Sequence, residues 1–133
     1  MDLGLKDKVV IVTGGAKGIG EAISKLVAAE GGIVVIAGRN TEDNEKTVQE
    51  IKAAGGKAFG IQAELGQVAD CRKVIDTTVQ QFGTIHALVN NAGVLERQGR
   101  VEAIDAARLQ RVFATNVIGS FLCAREAVRR MSN

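Results

Sequence analysis

Short, wholly apolar runs alternate along this chain with longer stretches in which apolar residues recur every three or four positions. Val9–Val12 is a run of four apolar residues rich in β-branching, suited to a strand buried on both faces. Ile33–Ala37, Lys57–Gln62 and Ile85–Val89 read as three further strands, the Lys57–Gln62 run being the weakest. Helical periodicity fills the gaps. The first helix carries Ile19, Ala22, Ile23, Leu26 and Val27 as a stripe facing a sheet and ends at Gly31-Gly32. The second opens on Glu42 and Asp43, turns Val48, Ile51 and Ala54 inward and closes at Gly55-Gly56. The third carries Val68, Cys71, Val74, Ile75, Thr78, Val79 and Phe82 and stops at Gly83. Asp105–Met131 reads as one long helix, about 40 Å at about 1.5 Å per residue. Its expected buried face is Leu109, Val112, Phe113, Val117, Ser120 and Ala124, with Asn116 inside it.

Strict strand–helix alternation predicts an α/β fold, a doubly wound parallel sheet with right-handed crossovers. Four strands in that pattern suggest the order 3-2-1-4, with the switch point between strands 1 and 4. Ligands of such sheets bind beyond the carboxyl ends of the strands, at that crevice. Two unusual segments end there. One is Thr13-Gly14-Gly15-Ala16-Lys17-Gly18-Ile19-Gly20, a glycine turn leading into a helix N-terminus, where free N–H groups and the helix dipole favour a phosphate. It has neither the G-x-G-x-x-G spacing nor the Gly-Lys-Ser/Thr of a nucleotide-triphosphate loop. The other is Asn90-Asn91-Ala92-Gly93, directly after an apolar strand, where a pair of amides suits the edge of a bound cofactor or a local turn. Asn116 adds a third anomaly, because a buried asparagine in an apolar stripe needs a hydrogen-bonding partner.

Composition narrows the classes. The chain has 133 residues, enough for one domain with a proper core, and a net charge of +2 with both signs interspersed. That balance excludes a basic nucleic-acid surface or a membrane-surface patch. Cys71 and Cys123 are far apart in sequence and make no metal-ligand spacing with the single histidine, His86, so both read as core residues and His86 as structural. No metal is expected. Met1–Lys8 is short and charged, unlike a signal peptide, and no run approaches the roughly 18 apolar residues of a membrane span. A reduced, cytoplasmic setting fits best.

The glycine turn, the Asn-Asn-Ala-Gly turn and Thr115-Asn116-Val117, standing in that order, resemble the N-terminal, cofactor-binding half of a short-chain dehydrogenase/reductase. The resemblance covers essentially the whole chain and implies that residues 1–133 form a Rossmann-type NAD(P)-binding domain, incomplete after the long fourth helix. It implies that Gly14 to Ile19 wrap the pyrophosphate and adenosine ribose and that Asn91 to Gly93 sit against the cofactor. Glu64-Leu65 stands where the family usually has an aspartate beside the adenine. Asn116 matches the helix asparagine of the family's Asn-Ser-Tyr-Lys catalytic group. A small alcohol, ketone or aldehyde substrate and a homo-oligomeric full-length form are implied as well.

Cofactor choice follows from charge. An acidic residue after the second strand would bind a free ribose 2′-OH and repel a 2′-phosphate. Ala37-Gly38-Arg39-Asn40 offers a guanidinium instead, and Lys17 adds a second cation. NADP is therefore expected over NAD. The family's catalytic serine and Tyr-x-x-x-Lys pair have no counterpart here, and the chain has no tyrosine. Carbonyl reduction needs a proton donor at oxygen while hydride reaches carbon, so the chain alone is expected to hold a cofactor without using it. Two readings follow: the cofactor-binding part of an NADP-dependent oxidoreductase, or a catalytically inactive dinucleotide-binding module acting as sensor or interaction partner. With the fourth strand at an edge, the isolated chain is expected to be marginal, self-associating or partly molten.

Overall fold

The four apolar runs form one sheet in which every pairing is parallel. In the computed structural model, which describes residues 1–131, β1 (Val9–Thr13), β2 (Ile33–Gly38), β3 (Lys57–Gln62) and β4 (Ala87–Val89) lie in the order β3-β2-β1-β4. Ser132 and Asn133, the end of the expected domain, lie outside the described residues. β1 is central, with Ile11 level with Val35 on one side and Leu88 on the other. Connections leave β1 in opposite directions across the sheet, so the switch point falls between β1 and β4, as the alternation predicts.

Strand periodicity sorts the core into two layers. Val9 and Ile11 join Val35, Ala37 and Ile61 beneath α3 (Val68–Phe82) and α5 (Gly119–Met131). Val10 and Val12 join Val34 and Ile36 beneath α1 (Gly18–Ala29) and α2 (Thr41–Ala53). Every residue of β1 is buried, which is what a run of β-branched residues at the middle of a covered parallel sheet requires. α2 starts where Asn40 Oδ1 accepts from Asp43 N at 3.0 Å, and α3 stops at Gly83 in the left-handed conformation. His86 is structural: its backbone N–H donates to Val9 O and its side-chain Nδ1 accepts from Val9 N, both at 2.9 Å, extending the β1–β4 ladder by one residue. Both cysteines are buried free thiols between α3 and α5. Contact with Cys71 and burial push the Cys123 thiol up.

Three helical expectations need correction. α1 buries Gly20, Ser24 and Ala28, with Ile23 and Val27 half-buried, while Ile19, Ala22 and Leu26 face outward. Small residues four apart let this helix lie close on β1, and Ser24 Oγ, 2.9 Å from both Gly15 O and Gly20 O, fixes the phase. Ala54 caps the end of α2 and is exposed rather than inward. The long helix is not uniform: α4 (Ala106–Phe113), begun by Asp105 Oδ1 accepting from Arg108 N at 2.7 Å, passes through a π-helical turn, Ala114–Ile118, into α5. The wider turn advances the phase, so Thr115, Gly119, Cys123 and Ala127 face the core and Leu109, Phe113 and Val117 are exposed. Phe121 is 75% exposed.

Candidate functional site

At the carboxyl end of β1 the two singled-out turns are built into each other through one hydroxyl. Thr13 Oγ1 accepts from Asn91 N at 3.0 Å and from Ala92 N at 2.9 Å, and donates to Val89 O at 3.3 Å. Asn91 returns the contact: its Nδ2 lies 3.1 Å from both Thr13 O and Gly14 O. The approach is too close for side chains. Gly14 has φ +64°, and a Cβ there would stand 3.0 Å from Ala92 Cα; a Cβ on Gly20 would collide with the Gly14 carbonyl and the Asn91 amide. The Asn-Asn-Ala-Gly segment is therefore a wall held at a set distance from the glycine turn.

Beside that junction opens a cleft of about 560 Å³, within the range of cofactor pockets. Gly14, Ala16 and Lys17 form one side, Gly38, Arg39, Asn40, Asp43 and Asn44 the far end, and Glu64, Leu65, Thr115 and Asn91–Val94 the rest. α1 has no side-chain cap, so the N–H groups of its first turn lie free beside the cleft-lining Ala16 and Lys17. A glycine turn cleared of Cβ atoms, leading to an uncapped helix N-terminus, fits a pyrophosphate. At the far end Lys17 Nζ meets Asp43 Oδ2 at 2.9 Å. Asn44, 2% exposed, donates to Gly38 O at 3.1 Å and Ile61 O at 3.3 Å, fixing the turn that carries Arg39. Thr47 Oγ1 donates to Ala16 O at 3.1 Å, tying α2 to the glycine turn.

Of the sequence-derived positions, Gly14, Ala16, Lys17, Arg39, Asn40, Glu64, Leu65, Asn91, Ala92 and Gly93 all line this cleft. Thr13, Gly15 and Gly20 lie buried beneath it as its frame, while Gly18 and Ile19 are exposed at the start of α1. Asn90 Nδ2 donates to Ser120 O at 3.2 Å, joining β4 to α5. Asn116 sits in the π-helical turn; its Oδ1 accepts from Val94 N at 2.7 Å and its Nδ2 donates to Val94 O at 3.0 Å. Those two bonds tether the segment after Gly93 to the helix. Sequence reasoning missed Asp43, Asn44 and Asp70. Asp43 looked like an ordinary helix-opening acid, and Asn44 had no distinguishing signal. Asp70 Oδ2 accepts from Glu64 N at 2.6 Å and so holds the end of β3. No group of three or more His, Cys, Asp or Glu able to hold a metal occurs among the described residues.

With this geometry in view, the family model described as short chain dehydrogenase matches residues 8–133. The chain belongs to the short-chain dehydrogenase family. The uncharacterized oxidoreductase YgfF of Escherichia coli K12 is 43% identical over 128 residues, covering 93% of this chain and 51% of its own length. NADPH-dependent aldehyde reductase 1, chloroplastic, of Arabidopsis thaliana is 37% identical, covering 96% of this chain and 46% of its own. A short-chain dehydrogenase from Burkholderia cenocepacia, solved in complex with NADP, superposes with a TM-score of 0.89 at 33% identity, covering 96% of this chain and 52% of that one. The chain thus spans about half the length of the relatives it matches.

Proposed function

We propose that residues 1–133 are the cofactor-binding part of an NADP-dependent oxidoreductase that reduces a small ketone or aldehyde, or oxidises the corresponding alcohol. The observation that carries the reading is the cleft at the β1/β4 switch point, walled by both turns and bearing Lys17 and Arg39 at one end. Family membership supports the oxidoreductase class. The NADP complex of the Burkholderia relative and the printed NADPH dependence of the Arabidopsis one support the choice of NADP.

In this reading the free N–H groups at the start of α1 take the pyrophosphate, with Gly14–Ile19 around it. Arg39 and Lys17 take the 2′-phosphate, Asn40 flanks them, and Glu64 and Leu65 border the adenine. Asn91–Gly93 back the nicotinamide half, at a distance set by Thr13. The nicotinamide, when bound, gives or accepts the hydride. Asn116 orients the wall by holding Val94. The chain has no tyrosine, and we assign to it the binding and orienting share of the reaction, not the proton transfer. A homo-oligomeric, cytoplasmic full-length protein completes the proposal.

Titration with NADPH and NADH, followed by nucleotide fluorescence or calorimetry, tests it. NADPH is expected to bind tighter, and Arg39→Ala to weaken NADPH by about 10–100-fold, the value of a charge-assisted contact, while leaving NADH nearly unchanged. Equal or tighter binding of NADH overturns the choice of NADP, and binding of neither overturns the site.

A further inference from the structure

The two cations at the far end of the cleft are not equivalent. Arg39 leaves β2 on a turn fixed from below by Asn44, whereas Lys17 is already engaged with Asp43 at 2.9 Å. Asp43 is the less mobile partner. Its backbone N–H is held by Asn40 Oδ1, the next residue is anchored in the core through Asn44, and its side chain is only 30% exposed. Lys17 is 76% exposed on a flexible stem, so it is the group that can change partners.

We propose that Asp43 is a selectivity-setting residue that competes with the 2′-phosphate for Lys17. The inference rests on the NADP reading above. A phosphomonoester of about −1.5 to −2 charge arriving at this end meets two cations and one carboxylate. It gains full use of Lys17 only when the ammonium leaves Asp43. A dinucleotide with a free 2′-OH asks for no such exchange, and the Lys17–Asp43 pair stays closed beside it. Asp43 therefore taxes only the phosphorylated cofactor and narrows the preference that Lys17 and Arg39 create.

The test is a set of titrations of the full-length protein with NADPH and NADH, repeated with adenosine 2′,5′-bisphosphate and 5′-AMP to isolate the phosphate. Asp43→Asn is expected to raise the NADPH-to-NADH affinity ratio by about two- to fivefold, the scale of one exposed ion pair. The gain shrinks at high salt and vanishes when Lys17→Met is added. Glu42→Gln makes the same charge change on the neighbouring residue of α2, outside the cleft lining, and is expected to leave the ratio unchanged. The proposal is overturned by a ratio that stays level or falls in Asp43→Asn. An equal rise in Glu42→Gln, or a gain that survives in the Lys17→Met background, overturns it as well. A wild-type preference for NADH refutes the NADP reading separately, because the shift on Asp43→Asn is read whatever the starting preference. Binding of neither dinucleotide overturns both.

Discussion

Replacing Thr13 by valine keeps the shape of the side chain and removes the one hydroxyl that joins the two turns. Ala92 N–H, at 2.9 Å, loses its acceptor, while Asn91 N–H loses one of two and keeps Val89 O at 3.0 Å. A buried polar group left without a partner costs about 1–3 kcal/mol. Ala92 is half-buried and recovers part of this from water, and Asn91 gives up a shared bond, so the expected total is about 1–3 kcal/mol. For a chain of this size that corresponds to a fall in Tm of about 4–12 °C. Thr78→Val is the matched control. Thr78 is equally buried, but its hydroxyl donates only to Val74 O within the same helix, at 2.7 Å, so its loss is expected to cost under about 1 kcal/mol. Urea unfolding followed by circular dichroism measures both, and NADPH titration supplies the functional readout. Thr13→Val should weaken NADPH binding by loosening the Asn91–Gly93 wall, and Thr78→Val should not. If Thr13→Val costs no more than Thr78→Val, the hydroxyl is not the junction described above.

Three further outcomes are expected. Gly20→Ala drives a Cβ into the Gly14 carbonyl and the Asn91 amide, neither of which can yield, and should cost about 3 kcal/mol or more in thermal or denaturant unfolding. Asn116→Ala removes both tethers on Val94 and should accelerate hydrogen exchange at the Val94 amide by about 10-fold or more; an unchanged rate would count against the tether. Two hydrogen bonds from Arg111, at 2.6 and 2.9 Å, hold the Glu96 carboxyl below the usual carboxylate range. Because the folded value is depressed, this link is fully present above the ordinary value of about 4.3 and is lost as pH falls through the lower folded value. Carboxyl NMR titration should find Glu96 below its ordinary range and moved up toward it in Arg111→Gln, with Arg108 at 3.6 Å still holding it down in part.

Topology was the most legible part of the sequence, because unbroken apolar runs between periodic segments leave few alternatives to a parallel sheet. The cleft was nearly as legible: ten of the positions singled out line it, since glycines and asparagines in a strand-to-helix turn are hard to explain by packing. The helix faces were not. Reading hydrophobicity put Ile19 and Leu26 of α1, and Leu109 and Phe113 of the last helix, toward the sheet, yet the ridges that pack are Gly20-Ser24-Ala28 and Thr115-Gly119-Cys123-Ala127. Close approach of α1 to the sheet and of α5 to α3 selects small residues, which carry little hydrophobic signal. The π-helical turn shifted the phase again, and nothing in Ala114–Ile118 announces it. Asp43 was hidden for another reason: a carboxylate in the first turn of a helix already has a sufficient local explanation.

The hydroxyl at Thr13 and the backbone it gathers are 78 and 79 residues apart in the chain. A growing polypeptide makes the glycine turn first and must wait for its wall. At about 5–20 residues per second, the ribosome takes about 4–16 s to supply Asn91 after Thr13. β2 arrives much earlier, so β1 can pair on one side while its other edge and its terminal hydroxyl stay open. The junction of the two turns therefore closes only after β2, α2, β3, α3 and β4 have been made, well behind the glycine turn itself.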